Sequence, residues 1–198
     1  MVPTEGKLAA LIGSRICHDL ISPIGAINNG LELLTMTGDA KGPEMDLIAE
    51  SVNNASARIR FFRVAFGAAG NQQVGRSEVM GVITDTMGGG RIQVRYEPAE
   101  AQPRKMVRLV FLAILCLEGA LPYGGEIEIT YKSGSWRLLG TAEKLNMDAN
   151  LWSVLADPSE MDQIEPAHVQ FALLPTLARD EGLTLQTNIT DNSVEIRF

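Results

Sequence analysis

From Glu5 to Leu34 the apolar positions recur at helical spacing. At about 100° per residue, Ile16, Leu20, Ile27, Leu31 and Leu34 share one face, which predicts a long amphipathic helix despite the interior Pro23. The cluster Thr37-Gly38-Asp39-Ala40-Lys41-Gly42-Pro43 reads as a turn, with Pro43 suited to the first turn of a second helix. In that helix Met45, Ile48, Val52, Ala55, Ile59, Phe62 and Phe66 alternate spacings of three and four, a seam of a and d positions. Asp46, Asn53, Asn54, Arg60 and Arg63 keep its other faces polar. A two-helix hairpin cannot bury both stripes alone. A four-helix bundle built from two chains is the expected remedy, so the pattern predicts a homodimer.

The pattern changes after a Gly-rich stretch, Gly67 to Gly75, that reads as a linker. Ser77 is a candidate N-cap for a helix to about Met87, and Gly88, Gly89 and Gly90 form a turn. Strict alternation at Ile92, Val94 and Tyr96 predicts a strand over Arg91 to Glu97. Pro98 to Pro103 reads as loop, and Arg104 to Leu121 as a long, very apolar helix. Strands follow at Glu126 to Tyr131 and Trp136 to Leu139, joined across Ser133-Gly134-Ser135. A short helix is expected near Met147 to Leu155, and another over Pro166 to Glu181 with Gly182 as its stop. Leu183 to Thr190 and Ser193 to Phe198 form a last hairpin across Asp191-Asn192. The expected fold is α+β: a helical hairpin over residues 1–70, then an α/β sandwich over 71–198, about five strands with helices on one face.

Composition narrows the classes of function. Of 198 residues, 45% are hydrophobic and 21% charged, which suits a packed core and argues against global disorder. Seventeen Lys and Arg against 24 Asp and Glu give a net charge of −7, a poor basis for nucleic-acid binding. The strongest apolar run, Leu109 to Leu117, falls short of the about 20 residues that cross a bilayer. The N-terminus lacks the basic and apolar regions of a signal peptide. Cys17 and Cys116 cannot form a disulfide framework or a four-cysteine zinc site. The expectation is a soluble cytoplasmic protein, with no membrane partner.

The chemistry concentrates on the first helix. His18 lies about 160° around from Leu20 and about 180° from Ile27, away from the apolar stripe. Arg15, Ser22 and Asn29 fall within about 60° of it. An imidazole on a wet helix face offers a ring nitrogen as nucleophile. Adjacent Asp19 can orient that ring or accept its proton. Pro23 removes a backbone hydrogen bond one turn later and is expected to kink the helix.

The run Ser14-Arg15-Ile16-Cys17-His18-Asp19-Leu20-Ile21-Ser22-Pro23-Ile24 resembles the phosphoacceptor box of histidine kinase dimerisation domains. That box is a His, an acidic residue, three more residues and a Pro on the first helix of a hairpin. His18, Asp19 and Pro23 match it. The longer run from Cys17 to Leu34 resembles the ChpT-type histidine phosphotransferases in particular. The resemblance implies a dimeric bundle followed by a degenerate kinase-ATPase-like sandwich. It implies a phosphorelay role in which His18 takes a phosphoryl group from a receiver-domain aspartate and passes it to another receiver. The implied partners are the receiver domains of a hybrid histidine kinase and of response regulators, with Mg²⁺ brought by the receiver and no cofactor bound by this chain. Arg15, Ser22 and Asn29 then become candidates for receiver docking or for lying beside the phosphoryl group. The rival readings are an ATP-dependent histidine kinase, a receiver phosphatase and a non-catalytic receiver-binding adaptor.

Other residues read more plainly. His168 follows Pro166 at a helix start and reads as structural or surface. Cys17 points about 100° from His18 and does not face it. Cys116 sits in an apolar run and reads as core. Arg58, Arg60 and Arg63 read as a solvated helix face rather than a phosphate clamp, and Asn28 and Asn29 as interface or capping polars.

Set against the kinase resemblance, the nucleotide boxes are missing. The helix Leu109 to Leu121 has no Asn; Glu118 stands about where a metal-binding Asn would be, with Ile114 one turn before it. Gly140-Thr141-Ala142-Glu143-Lys144 has no Asp-x-Gly-x-Gly, and Asp157 to Glu165 has no glycine to form a lid. These absences predict that millimolar Mg-ATP leaves the melting temperature unchanged, since a ligand that does not bind the native state cannot stabilise it. A clear upward shift in thermal melting with ATP would revive the kinase reading.

Overall fold

The computed structural model describes residues 5–37, 43–156 and 164–198. The turn expected at Thr37 to Pro43 and the glycine-free stretch after Asp157 fall largely outside them. Helix α1 runs Glu5–Thr37 and helix α2 Pro43–Ala65. The second part follows as β1 (Gln73–Val74), α3 (Arg76–Met87), β2 (Ile92–Tyr96), β3 (Gln102–Pro103), α4 (Arg104–Ala120), β4 (Gly125–Lys132) and β5 (Ser135–Thr141). It ends with α5 (Ala149–Ala156), a 3₁₀ turn at Pro166–His168, α6 (Val169–Asp180), β6 (Gln186–Ile189) and β7 (Ser193–Arg197).

Two local expectations are corrected. Ser77 is not a cap: Gly75 takes the N-cap position of α3, with no side-chain cap bond. The supposed linker and the loop before α4 also contain paired backbone. Gln73–Val74 runs antiparallel to Gln102–Pro103, a two-residue ribbon beside the main sheet. That pairing lies between segments nearly thirty residues apart, which periodicity cannot register.

The main sheet has the order β2-β4-β5-β7-β6, with β2 and β4 parallel and the other neighbours antiparallel. Strand alternation sends Ile127, Ile129, Trp136, Leu138, Val194 and Ile196 to one face, all buried with the helices in a single core. The opposite face carries charge in rows: Arg95 pairs with Glu126, and Arg137 reaches both Glu128 and Glu195. The turn between β4 and β5 is Ser133-Gly134, both at positive φ, as a two-residue hairpin loop requires. Gly125 opens β4 at φ +151°, and a Cβ there would meet the Thr141 carbonyl at 2.2 Å.

The hairpin and the sandwich share one core. The α2 residues Ala57, Phe61 and Val64 form a buried second face that the heptad reading did not separate out. Phe61 packs on Phe111 of α4 with ring centroids 4.7 Å apart. Replacing it by Ala should cost about 3–5 kcal/mol. On α1, Leu8, Leu11, Ile12 and Ile16 lean on the same core.

The rest of the hairpin stays uncovered in a single chain. Ile24, Leu31 and Met36 of α1, with Met45, Val52 and Ile59 of α2, are exposed. Scattered exposed apolar residues are ordinary, but a continuous stripe marks an interaction surface. A second copy laid on this stripe is the expected cover. Light scattering at micromolar concentration should then give about twice the 21.4 kDa chain mass. Val52 and Ile59 are 45% and 52% exposed within one chain, so Val52→Asp or Ile59→Asp should split the dimer without unfolding the protomer. A wild-type mass of a single chain would overturn this.

Candidate functional site

The site is built from the middle of α1 outward. Helix α1 continues through Pro23, whose ring removes the hydrogen bond that the carbonyl of Asp19 would accept. Residues 15 and 19 lie one turn apart on the side facing the rest of the protein, and their side chains are only 14% and 12% exposed. His18, one position round, is 80% exposed. A buried acid and a solvated imidazole therefore sit on adjacent residues.

Two hydrogen bonds and a longer ion pair converge on the Asp19 carboxylate. The ring Nδ1 of His18 lies 3.0 Å from Oδ1. The Nε of Arg15 donates to Oδ2 at 2.7 Å, and an Nη1 of Arg58 from α2 stands 3.8 Å from the same oxygen. Burial pushes the Asp19 carboxyl up, but the hydrogen bonds from His18 and Arg15 and the charges of Arg15 and Arg58 outweigh it, leaving its pKa below the ordinary aspartate value. Asp19 is thus an ionised, acceptor-only group. With the carboxylate ionised, the hydrogen on Nδ1 donates to Oδ1, which leaves Nε2 as the nitrogen that can act as nucleophile when the ring is neutral. Of the two roles open for Asp19, this environment suits orienting the ring and opposes taking up a proton.

A groove of about 480 Å³ opens beside His18 between α1, α2 and α3. Asp19 and Ser22 line it from α1, Ser51, Asn54 and Arg58 from α2, and Asp85 and Thr86 from α3. Ser22 is thus brought to the site. Asn29 is not: it is exposed on the same helix, but eleven residues on, about 16 Å along the axis at 1.5 Å per residue. Arg15 is near yet turned inward; besides Asp19 it donates through Nη1 to the backbone carbonyl of Ala167, just before α6.

The arginine trio of α2 is solvent-exposed, as the sequence suggests, but two of its members also make ion pairs: the side chains of Arg58 and Arg60 are 41% and 49% exposed. Arg58 turns toward Asp19, and Arg60 pairs with Asp85 of α3 at 3.0 Å. Arg63 is exposed, and its backbone carbonyl accepts a hydrogen bond from Arg104. Arg58, Asn54 and Thr86 were missed as neighbours of His18 because their proximity depends on how α2 and α3 cross α1. The only sequence signal was a basic residue on the second helix of a hairpin whose first helix carries a buried acid. His168 is half-buried, edge-on to Phe171, and Cys116 is fully buried, which agrees with their structural readings. Among the described residues no group of His, Cys, Asp and Glu is arranged to hold a metal ion. No described helix is long and apolar enough to cross a membrane.

Comparison with known proteins bears on the whole chain. Residues 76–193 match the model of the histidine phosphotransferase C-terminal domain, more than half of the sequence. The protein phosphotransferase ChpT of Brucella abortus is 44% identical over 125 residues, 62% of this chain. That match spans 59% of the relative's own length. A solved bacterial phosphotransferase superposes with a TM-score of 0.84 at 32% identity, covering all of this chain and 98% of that one. The helical hairpin followed by an α/β sandwich is thus a fold this chain has in common with a phosphotransferase along its full length, and the chain belongs to the histidine phosphotransferase family.

Proposed function

We propose that the protein relays phosphoryl groups between receiver domains, with His18 as the phosphoacceptor. The observation that carries this reading is the solvated imidazole whose Nδ1 is held by an ionised carboxylate. The Nε2 lone pair forms a bond to phosphorus as the bond from phosphorus to the receiver's aspartate oxygen breaks, and the aspartate leaves as carboxylate. The Nδ1 proton stays in place, so the phosphorylated ring is a cation, and Asp19 beside it balances that charge. The reverse steps deliver the group to a second receiver. Such transfer asks little covalent work of the protein; alignment and charge compensation dominate.

Ser22 and the exposed Ile21 extend the surface around His18 on which a receiver would sit. The Mg²⁺ of the reaction is taken to be the receiver's own. The paired hairpin stripes support a homodimer, presenting two such faces. The missing nucleotide boxes support a relay without ATP, and the sandwich is read as a docking surface. An adaptor that only binds has no use for a nucleophile held in one tautomer.

Time-resolved transfer of label from a phosphorylated receiver checks the assignment. His18→Ala should abolish acceptance while leaving the circular dichroism unchanged, because the side chain is 80% exposed and its loss leaves no cavity. Asp19→Ala should slow transfer without abolishing it, by about the 10–100-fold lost when the orienting partner of a histidine is removed. Acceptance at the wild-type rate by the His18 variant would remove the phosphoacceptor assignment.

The lowered Asp19 pKa also has a stability consequence. Because the folded value lies below the unfolded one, the ionised cluster stabilises the fold above the ordinary aspartate range of about 3.9 and loses that contribution as pH falls through the lowered value. Carbon-detected NMR titration should place the Asp19 midpoint below that of an unfolded-state aspartate. A midpoint at or above it would mean that the arginines do not hold the carboxylate.

A further inference from the structure

Besides the α3 residues that line the groove, the second domain reaches His18 through a hydrogen-bonded chain centred on Arg15. Arg15 places its guanidinium between Asp19 on its own helix and the Ala167 carbonyl in the turn that precedes α6. His18 donates to the other oxygen of the same carboxylate. A continuous path of hydrogen bonds therefore runs from that turn through Arg15 and Asp19 to the imidazole. The turn is itself fixed, by the bond from His168 N to the Glu165 carbonyl at 2.9 Å and by α6, whose residues Val169 to Leu174 are buried.

The helix alone does not hold this arrangement. A basic residue four positions before an acid is the less favourable order with respect to the helix dipole, and an exposed pair of this kind contributes little by itself. Arg15 is 14% exposed, so its guanidinium has given up water and needs fixed acceptors. The Ala167 carbonyl is one of them, and it lies outside the hairpin. The planar fork of arginine suits two acceptors at set angles, which a lysine ammonium does not reproduce.

We infer that Arg15 is a positioning residue for His18, anchored by the turn before α6, so that the second domain completes the phosphoacceptor site instead of serving only as a docking surface. This rests on the phosphotransfer reading for its consequence but not for its geometry. Arg15 faces Asp19 and the turn, not the incoming group; it acts by holding the carboxylate that selects the Nδ1–H tautomer.

Two readouts on the full-length protein separate this inference from the function it serves. Long-range proton–nitrogen NMR of the receiver-free protein reports the His18 tautomer. Wild type should show Nδ1–H, and Arg15→Gln should shift the population toward Nε2–H, with Arg15→Lys in between. Label transfer in Arg15→Gln should slow by about 10–100-fold, the range lost when the orienting partner of a metal-bound histidine is removed, with partial recovery in Arg15→Lys. Pairing Arg15→Gln with Asp19→Asn should add little to the Asp19→Asn defect, since both act on one contact. An unchanged tautomer in both Arg15 variants would overturn the positioning role even if His18 accepts phosphate. A tautomer that shifts in the Arg15 variants, while the wild-type protein accepts no label, would keep the positioning role and remove the relay. If Arg15→Gln fails to fold, the Arg15→Lys spectrum decides: a wild-type tautomer with a wild-type transfer rate overturns the inference.

Discussion

Taking a carboxylate out of water opposes its charge, and the middle of α1 depends on doing so while keeping the charge. Asp19 is largely shielded, yet hydrogen bonds from His18 and Arg15, and the positive charge of Arg58, hold it ionised. Without those donors the shielding alone would raise the carboxyl's pKa and weaken its hold on the Nδ1 hydrogen of the imidazole. The ring would lose its reason to keep hydrogen on Nδ1. The His18 ring is in solvent, but its Nδ1 is held by a carboxylate that is largely not.

This constraint makes sense of the architecture. A helix carrying only His18 and its neighbours would leave Arg15 and Asp19 wet and loosely paired. Here α1 rests on α2, on the turn before α6 and on α6 itself. The Phe61–Phe111 contact and the shared core lock α2 to α4. The sandwich thus has a structural part in the site besides any docking it does. The free length of the hairpin, with its uncovered apolar stripe, is left for pairing with another copy.

Much of this was legible in the residues, for definable reasons. Long periodic segments such as α1, α2 and α4, and the alternating strands β2 and β4, announce themselves because burial on one face imposes a period. His18 stands out as a candidate because it breaks that period, and Asp19 because it is adjacent in sequence. The face rule puts Ser22 on the groove beside His18 but leaves Asn29 well along the helix from it, since an angle around a helix ignores the rise along it. Arg58 stays substantially solvated, yet the second apolar face of α2, at Ala57, Phe61 and Val64, sets α2 against the protein so that its guanidinium lies 3.8 Å from Asp19. The Ala167 carbonyl carries no side-chain signature, and its contact with Arg15 joins residues 152 positions apart. No local pattern encodes it.

The account turns on which ring nitrogen of His18 is the nucleophile. Nitrogen and phosphorus NMR of the protein after transfer from a phosphorylated receiver identifies the bonded atom directly. If Asp19 holds the Nδ1 proton, the phosphoryl group is found on Nε2, and the Nδ1–H resonance persists. A phosphoryl group on Nδ1 would require the Asp19 contact to break before reaction and would contradict the account.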